Sequence, residues 1–311
     1  MKRFLCLLIT LCLLLSGCGI AAKPVQQTIF CMDTVMDIQL WGTDAEEAQA
    51  ELTALLRGLE KEWSATDPDS VIFQLNNSPT FSADPRQAAL LAEIEQLSLR
   101  SDGAFHPKMR CVSEAWGFCD EAHRIPTREE IAAALADPQW DLGGAIKGYA
   151  GQECAALLKT MDIDRAILNL GGNVQTYGEK SDGTPWQVGI QNPNFAEDYI
   201  GILSVTGTAS IVTSGDYQRY FEIDGIRYHH ILDPETGCPA NSGLSSVTVI
   251  CHSGLTADCL STALFVMGLE AGSQFWRQSD DFEAVFITSE GKIFATEGAA
   301  LSGCQFEVIS R

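Results

Sequence analysis

The sequence predicts an α+β fold, with mixed or antiparallel sheets and packed helices. Two observations carry this. Apolar residues recur at helical spacing through much of the first 160 positions, and short strand-like runs joined by turn signals take over from residue 166 onward. Helices interleaved with antiparallel hairpins fit that class better than a doubly wound parallel sheet. There are no internal repeats and no low-complexity stretch, so the body of the chain reads as one catalytic unit.

The elements follow in order. Met1-Lys2-Arg3 is a positive start, residues 4–15 are almost unbroken apolar sequence, and Leu15-Ser16-Gly17-Cys18 comes next. That order is a secretory signal, and the run falls short of the roughly 20 residues a membrane-spanning helix needs. The four residues ending in Cys18 resemble the bacterial lipobox. The resemblance implies a signal peptide over 1–17, lipid on Cys18, a short tether over 18–27, a domain over 28–311 and an extracytoplasmic, membrane-anchored location; a cleaved signal with a chance cysteine is the other reading. Residues 45–63 carry Ala48, Leu52, Leu55, Leu56, Leu59 and Trp63 at amphipathic-helix spacing. Residues 85–99 form a second helix, closed by Asp102-Gly103. Thr127 and Glu130 make a capping box for a short helix that ends near Asp137-Pro138. Residues 145–161 are a further helix.

Strands are expected at 166–170, 186–190, 202–205, 217–223 and 226–231, the last two joined by the hairpin turn Asp224-Gly225. Residues 246–250 are another strand and 258–269 a helix. A final hairpin over 282–288 and 292–296 turns at Ser289-Glu290-Gly291.

Composition narrows the function classes. A formal net charge of −21 argues against nucleic acid, whose phosphate backbone needs a basic face. A phosphate ligand must be met locally, and divalent cations held by carboxylates are one means. Beyond Cys18 the eight cysteines are scattered and form no Cys-x-x-Cys pair, so they read mostly as buried thiols rather than a zinc site or a disulfide framework.

Four clusters carry candidate chemistry. Asp141-Leu142-Gly143-Gly144-Ala145-Ile146-Lys147 places a glycine pair and a lysine at a helix start, where backbone N–H groups and the helix dipole favour an anion. A plain glycine turn before a core helix is the competing reading. Asp258 and Thr262 stand four apart on one helix face and offer hard oxygen ligands suited to Mg²⁺, against the alternative that Asp258 caps the helix. His230, in His229-His230-Ile231-Leu232-Asp233-Pro234, is a base candidate near neutral pH or else an exposed strand-end histidine. Ser101-Asp102-Gly103-Ala104-Phe105-His106-Pro107 suits a flat ring ligand or is an ordinary turn.

Together and in this order these strings resemble one family. Trp63-Ser64, Asp69-Ser70 and Leu75-Asn76 lead; Gly103-Ala104-Phe105, Asp141-Leu142-Gly143-Gly144 and Lys147-Gly148-Tyr149-Ala150 follow. Asn169-Leu170-Gly171-Gly172-Asn173, Ser214-Gly215-Asp216-Tyr217, His230 to Gly237 and Asp258 with Ser261-Thr262-Ala263 complete the set. The chain is similar to the FAD:protein FMN transferases from about Phe30 to its end. The resemblance implies a T-fold-like unit that uses Mg²⁺ to move the FMN half of FAD to a Ser or Thr hydroxyl of a partner flavoprotein subunit, releasing AMP. It implies Asp258, Thr262 and a backbone oxygen at Gly144 as the metal set. Met32, Ala104, Phe105, His106, Asp141, Lys147 and Leu232 would bind FAD, and His230 would be catalytic or substrate-orienting. Three positions depart from the family pattern: His106 replaces Asp after Gly-Ala-Phe, Thr66 stands where an aromatic residue often faces the flavin ring, and Asp33 follows Met32 in place of Gly. Two other classes stay open, an FAD-binding lipoprotein and a Mg²⁺-dependent FAD pyrophosphatase.

Overall fold

The computed structural model describes residues 23–120 and 122–311, so the signal segment and Cys18 lie outside the described residues. Fourteen strands and seven helices are described: β1 (Val25–Cys31), β2 (Thr34–Gly42), α1 (Ala45–Glu62), α2 (Val71–Asn77), α3 (Pro85–Arg100), α4 (Arg110–Ala115), α5 (Arg128–Leu135), α6 (Ile146–Leu158), β3 (Ile163–Leu170), β4 (Asn173–Tyr177), β5 (Trp186–Asn192), β6 (Phe195–Val205), β7 (Ala209–Gly215), β8 (Tyr220–Ile223), β9 (Ile226–His229), β10 (Leu244–Cys251), α7 (Gly254–Arg277), β11 (Phe282–Thr288), β12 (Ile293–Thr296), β13 (Leu301–Ser302) and β14 (Glu307–Ile309). Nine strands form the main sheet in the order β1-β2-β3-β4-β7-β10-β11-β12-β14, antiparallel except for the β12–β14 pair. The expected α+β class with antiparallel sheets and packed helices is what the chain adopts.

Alternation decides the layers. Met36, Ile38 and Leu40 on β2 and Ala166, Leu168 and Leu170 on β3 are buried against the helices, while the residues between them face outward. Val285 and Ile287 on β11 turn to the other face and pack with Val188, Ile190 and Leu203 of the smaller sheet β13-β6-β5. The main sheet is thus covered by helices on one side and partly by a second sheet on the other.

Helix ends follow local chemistry. Thr127 and Glu130 form the expected capping box at α5. An equivalent box, Asp84 with Gln87, starts α3. The helix expected from residue 258 begins at Gly254 instead, because the Ser253 hydroxyl accepts the Thr256 N–H at 3.1 Å and caps it. Asp258 therefore lies inside the helix and is not its cap. The helix breaks at Gly268, whose φ of 78° interrupts the backbone close to the expected end, and then resumes to Arg277. Its length and apolarity alone would suit a membrane span, but Leu255, Cys259, Leu260, Leu264 and Phe265 are fully buried in the domain core.

Other boundaries also shift. β1 starts at Val25, inside the stretch read as tether, and pairs along its whole length with β2. The strand expected at 202–205 extends back to Phe195, the one expected from 217 starts at Tyr220, and the one expected to 231 ends at His229. All eight cysteines beyond Cys18 are free thiols; Cys31, Cys154, Cys251 and Cys259 are buried and the other four are half-buried.

Helices α6 and α7 meet at a paired glycine contact. A Cβ built on Gly148 would fall on the Gly254 carbonyl oxygen, and one built on Gly254 would fall on the Gly148 carbonyl oxygen. Because the obstructing atoms are backbone, relief needs a helix to move. Gly148→Ala or Gly254→Ala is expected to lower unfolding stability by about 3 kcal/mol, the upper end for overpacking, as read by urea denaturation. A change below about 0.5 kcal/mol would contradict the close contact.

Candidate active site

The floor of the site is the loop entering α6. Asn76, at the end of α2, clamps its first residue: the Asn76 Nδ2 donates to the Trp140 carbonyl at 2.9 Å and the Trp140 N–H donates to Asn76 Oδ1 at 2.8 Å. The Asp141 N–H donates to the Pro107 carbonyl at 2.8 Å, and the Asp141 carboxylate accepts the Gly143 N–H at 2.8 Å. The turn at 103–107 and the loop at 140–144 are therefore one unit. Gly144 lies flush against the Phe105 ring and the Thr262 hydroxyl, with a built Cβ 3.4 and 3.3 Å from them.

Helix α7 supplies the wall. Asp258 is only 4% exposed, and its Oδ2 accepts the Gly148 N–H at 2.7 Å. Burial pushes this carboxyl above its ordinary pKa, against the Lys147 charge and the Gly148 N–H, which lower it. The Asn173 amide lies near this carboxylate, yet its Nδ2 is buried without a hydrogen-bond partner of normal geometry. One turn along α7, the Thr262 Oγ1 stands 3.3 Å from Ser214 Oγ, which is 2.8 Å from Ser261 Oγ. A carboxylate, three hydroxyls and the adjoining Gly144 backbone make a hard-oxygen set.

Among the described residues no three His, Cys, Asp or Glu side chains gather into a metal cage. The donors present fit Mg²⁺ nonetheless, since that ion commonly takes one or two carboxylates and completes its shell with water and phosphate oxygen. A buried carboxylate with one firm donor, beside hydroxyl and carbonyl oxygens, has capacity left for a cation.

His230 stands at the rim. Its N–H and its ring Nδ1 both meet the Arg219 carbonyl, at 3.0 and 3.1 Å, so Nδ1 carries the proton and Nε2 is left with a free lone pair. Desolvation holds the imidazole well below its ordinary pKa, helped by the Arg219 and Lys147 charges. Lys147 acts on Asp258 as well, which puts the lysine within electrostatic reach of both groups. Arg219 is fixed by a 2.9 Å bond from Nη2 to the Phe118 carbonyl. His229 turns the other way, bonded through Nε2 to the Ala240 carbonyl at 3.1 Å and edge-on to Phe265 at 5.5 Å.

The ApbE family profile matches residues 32–286, a span that includes every group described above. The chain belongs to the ApbE family. It is 32% identical to the FAD:protein FMN transferase of Vibrio cholerae over 300 residues, covering 88% of this chain and 90% of that relative. A second FAD:protein FMN transferase, from Rhodobacter capsulatus, is also 32% identical, and the match spans 57% of that longer protein. The fold superposes on the ApbE protein of Thermotoga maritima with a TM-score of 0.82 at 30% identity, covering 88% of this chain and 97% of that one. The Vibrio cholerae flavin transferase ApbE gives 0.77 at 27% identity, covering 89% and 98%.

The remaining residues expected in an ApbE site divide in two. Met32 and Asp33 form the β1–β2 turn with φ of 52° and 56°, and the Met32 N–H donates to Glu60 Oε1 at 2.5 Å. The left-handed backbone explains why glycine suits the second position and why Asp, which tolerates that region, can replace it. Phe105 is 3% exposed and acts on the site by packing under Gly144, beside half-buried Ala104. The His106 Nδ1 accepts the Lys108 N–H at 3.2 Å, while the Lys108 ammonium lies 4.5 Å from the Trp140 ring centre and bonds Glu95. Thr66 folds back on Ser64, its N–H donating to that hydroxyl at 3.1 Å. Leu232 is 7% exposed and packs with Val112, Trp116 and Ile131, so its side chain belongs to a satellite core. Asn76 and Ser214 lie in motif strings but carried no assigned role. Arg219 had no sequence signal, because its part is played by a backbone carbonyl and by a partner distant in the chain.

His229 and His230 are both held below the 6.5 of a free imidazole. Their folded values lie beneath the unfolded one, so the stability they confer is full above pH 6.5 and lost as pH falls below it. The raised Asp258 value acts with the opposite sign, so the comparison must be between variants. Urea midpoints measured from pH 7 to pH 5 are expected to fall less steeply in His229→Gln than in the wild type; equal slopes would contradict the buried neutral histidine.

Proposed function

We propose that this protein transfers the FMN moiety of FAD to a Ser or Thr hydroxyl of a partner protein, with Mg²⁺ and with release of AMP. Membership of the ApbE family supports the transfer. The observation that supports the chemistry is the buried Asp258 carboxylate, held on the Gly148 N–H one residue after Lys147 and one helical turn from Thr262.

In this reading Asp258, Thr262 and the Gly144 carbonyl would hold Mg²⁺, which when bound neutralises charge on the pyrophosphate. The chain's own groups do the rest. Lys147, in the first turn of α6, meets a phosphate oxygen beside the positive end of that helix. The 103–107 turn, Asp141 and Met32 hold the nucleotide. The acceptor hydroxyl oxygen attacks the phosphorus on the riboflavin side, the bond from that phosphorus to the bridging oxygen breaks, and AMP departs with that oxygen. The hydroxyl proton passes to His230 Nε2, which is neutral and unpaired before reaction.

The test is labelling of an acceptor with FAD and Mg²⁺ by wild type, Asp258→Ala and His230→Ala. Covalent flavin on the acceptor supports transfer, free FMN indicates hydrolysis and intact FAD indicates storage. Asp258→Ala is expected to abolish labelling and His230→Ala to lower its rate by about 10²–10⁴-fold, the usual contribution of a general base. Full labelling by Asp258→Ala after removal of trace metal would overturn the metal assignment, and an unchanged rate in His230→Ala would reassign the proton acceptor.

We further propose that the mature protein is held outside the cytoplasm by lipid on Cys18. From Cys18 to Val25, where β1 begins, the chain reaches at most roughly 25 Å, so acceptors on the same membrane meet the site at raised effective concentration. Cys18→Ala is expected to leave the membrane fraction while keeping full activity on a soluble acceptor; retention in the membrane would refute the anchor.

A further inference from the structure

Cys31 pairs with Thr34 across the β1–β2 hairpin, which leaves Met32 and Asp33 as a two-residue turn with left-handed φ of 52° and 56°. That shape matches the twist of the flanking strands, but Asn-Gly adopts it readily and a methionine, with its Cβ, resists it. In such a turn the flanking pair exchanges the ladder bonds, so the N–H of the first turn residue is left over. Here the Met32 N–H donates to Glu60 Oε1 at 2.5 Å. An unfavourable backbone shape is thus held by a charged acceptor from another element.

Glu60 does little for its own helix. It stands in the last turn of α1, at the negative end of that helix, where a carboxylate is disfavoured. It is half-buried, and among the described residues it forms no ion pair. Its neighbours are the Met32 N–H and the Cys31 thiol, both at the end of β1. Burial and then the Glu60 carboxylate push that thiol up to about 11, so it stays neutral beside the charge. The turn, in contrast, sits at the end of the main sheet that carries the site. A Cβ built on Gly171 would fall on the Thr34 side chain, so the β1–β2 turn packs on the β3–β4 turn at Gly171-Gly172. The next residue, Asn173, lies near the Asp258 carboxylate. Met32 itself is half-buried against the core.

We propose that Glu60 is a positioning residue for FAD: its carboxylate fixes the Met32 turn in the left-handed shape that forms one wall of the nucleotide site before FAD arrives. This rests on the reading above that Met32 helps to hold the nucleotide. A wall preset in the free protein spares FAD the cost of ordering it, so the effect falls on affinity rather than on the chemical step. The same logic gives Asp33 a measurable link to Glu60. A glycine at that position adopts the left-handed shape without strain, so the turn then depends less on the carboxylate.

The experiment titrates the full-length protein with FAD by flavin fluorescence in the presence of Mg²⁺, beside the FAD dependence of acceptor labelling. Glu60→Ala, a substitution that suits a helix, is expected to raise Kd and KM for FAD by about tenfold, the loss of one charge-assisted hydrogen bond, with kcat changed by less than about twofold. Glu60→Gln keeps an acceptor oxygen and is expected to stay within about threefold of the wild type. Adding Asp33→Gly to Glu60→Ala is expected to recover about threefold of the lost affinity, a coupling that a double-mutant cycle reads directly. A merely structural role would lower the urea midpoint and leave Kd unmoved. Wild-type Kd in Glu60→Ala, equal weakening by Glu60→Gln and Glu60→Ala, or a double variant that recovers nothing would overturn the assignment. A wild-type protein that binds FAD and labels no acceptor overturns the transfer reading alone and leaves the Kd comparisons to decide the role of Glu60; absence of FAD binding by the wild type overturns both.

Discussion

The arrangement turns on one buried hydrogen bond, from the Gly148 N–H to the Asp258 carboxylate. It forms because Gly148 and Gly254 lack side chains and let α6 and α7 approach until backbone meets backbone. That approach brings the loop at 140–148, with its glycine pair and lysine, onto the face of α7 that carries Thr262. Remove the close contact and the carboxylate, the hydroxyls and the helix N-terminus no longer converge. Asn76 and Pro107 then fix the same loop from the opposite side, so its position is determined at both ends.

Electrostatics explains why so acidic a chain can receive a doubly charged pyrophosphate. The net charge of −21 is spread over a solvated surface, where screening shortens its range to about 10 Å or less. Inside the site the balance is local: Lys147 and the positive end of α6 act on the buried Asp258 carboxylate, which a divalent cation would neutralise, and Arg219 adds positive charge beside His230. The same positive groups, with burial, keep His230 uncharged and its Nε2 available.

Much of this was legible in the sequence because the pieces are local. Capping of α5 by Thr127 and Glu130, the turn at Asp224-Gly225 and the i, i+4 relation of Asp258 to Thr262 all depend on residues a few positions apart. What escaped was long-range. Nothing near Ser253 marks it above Asp258 as the cap, and only the packing of α7 shows which begins the helix. Leu232 sits in a motif string, and only the packing shows that its side chain fills a satellite core. Asn76 clamps a loop 64 residues away, and Arg219 serves through a carbonyl, which any residue type supplies. β1 and β2 were missed because Pro24 and the Met32-Asp33 turn obscure a short alternation.

The most direct measurement follows the phosphorus. FAD carrying radioactive phosphorus on the riboflavin side is incubated with the protein, Mg²⁺ and an acceptor, and the products are separated. The label is expected on the acceptor, bound through a Ser or Thr oxygen, with an equal amount of unlabelled AMP. Label recovered only in free FMN, or only in intact FAD, would contradict it.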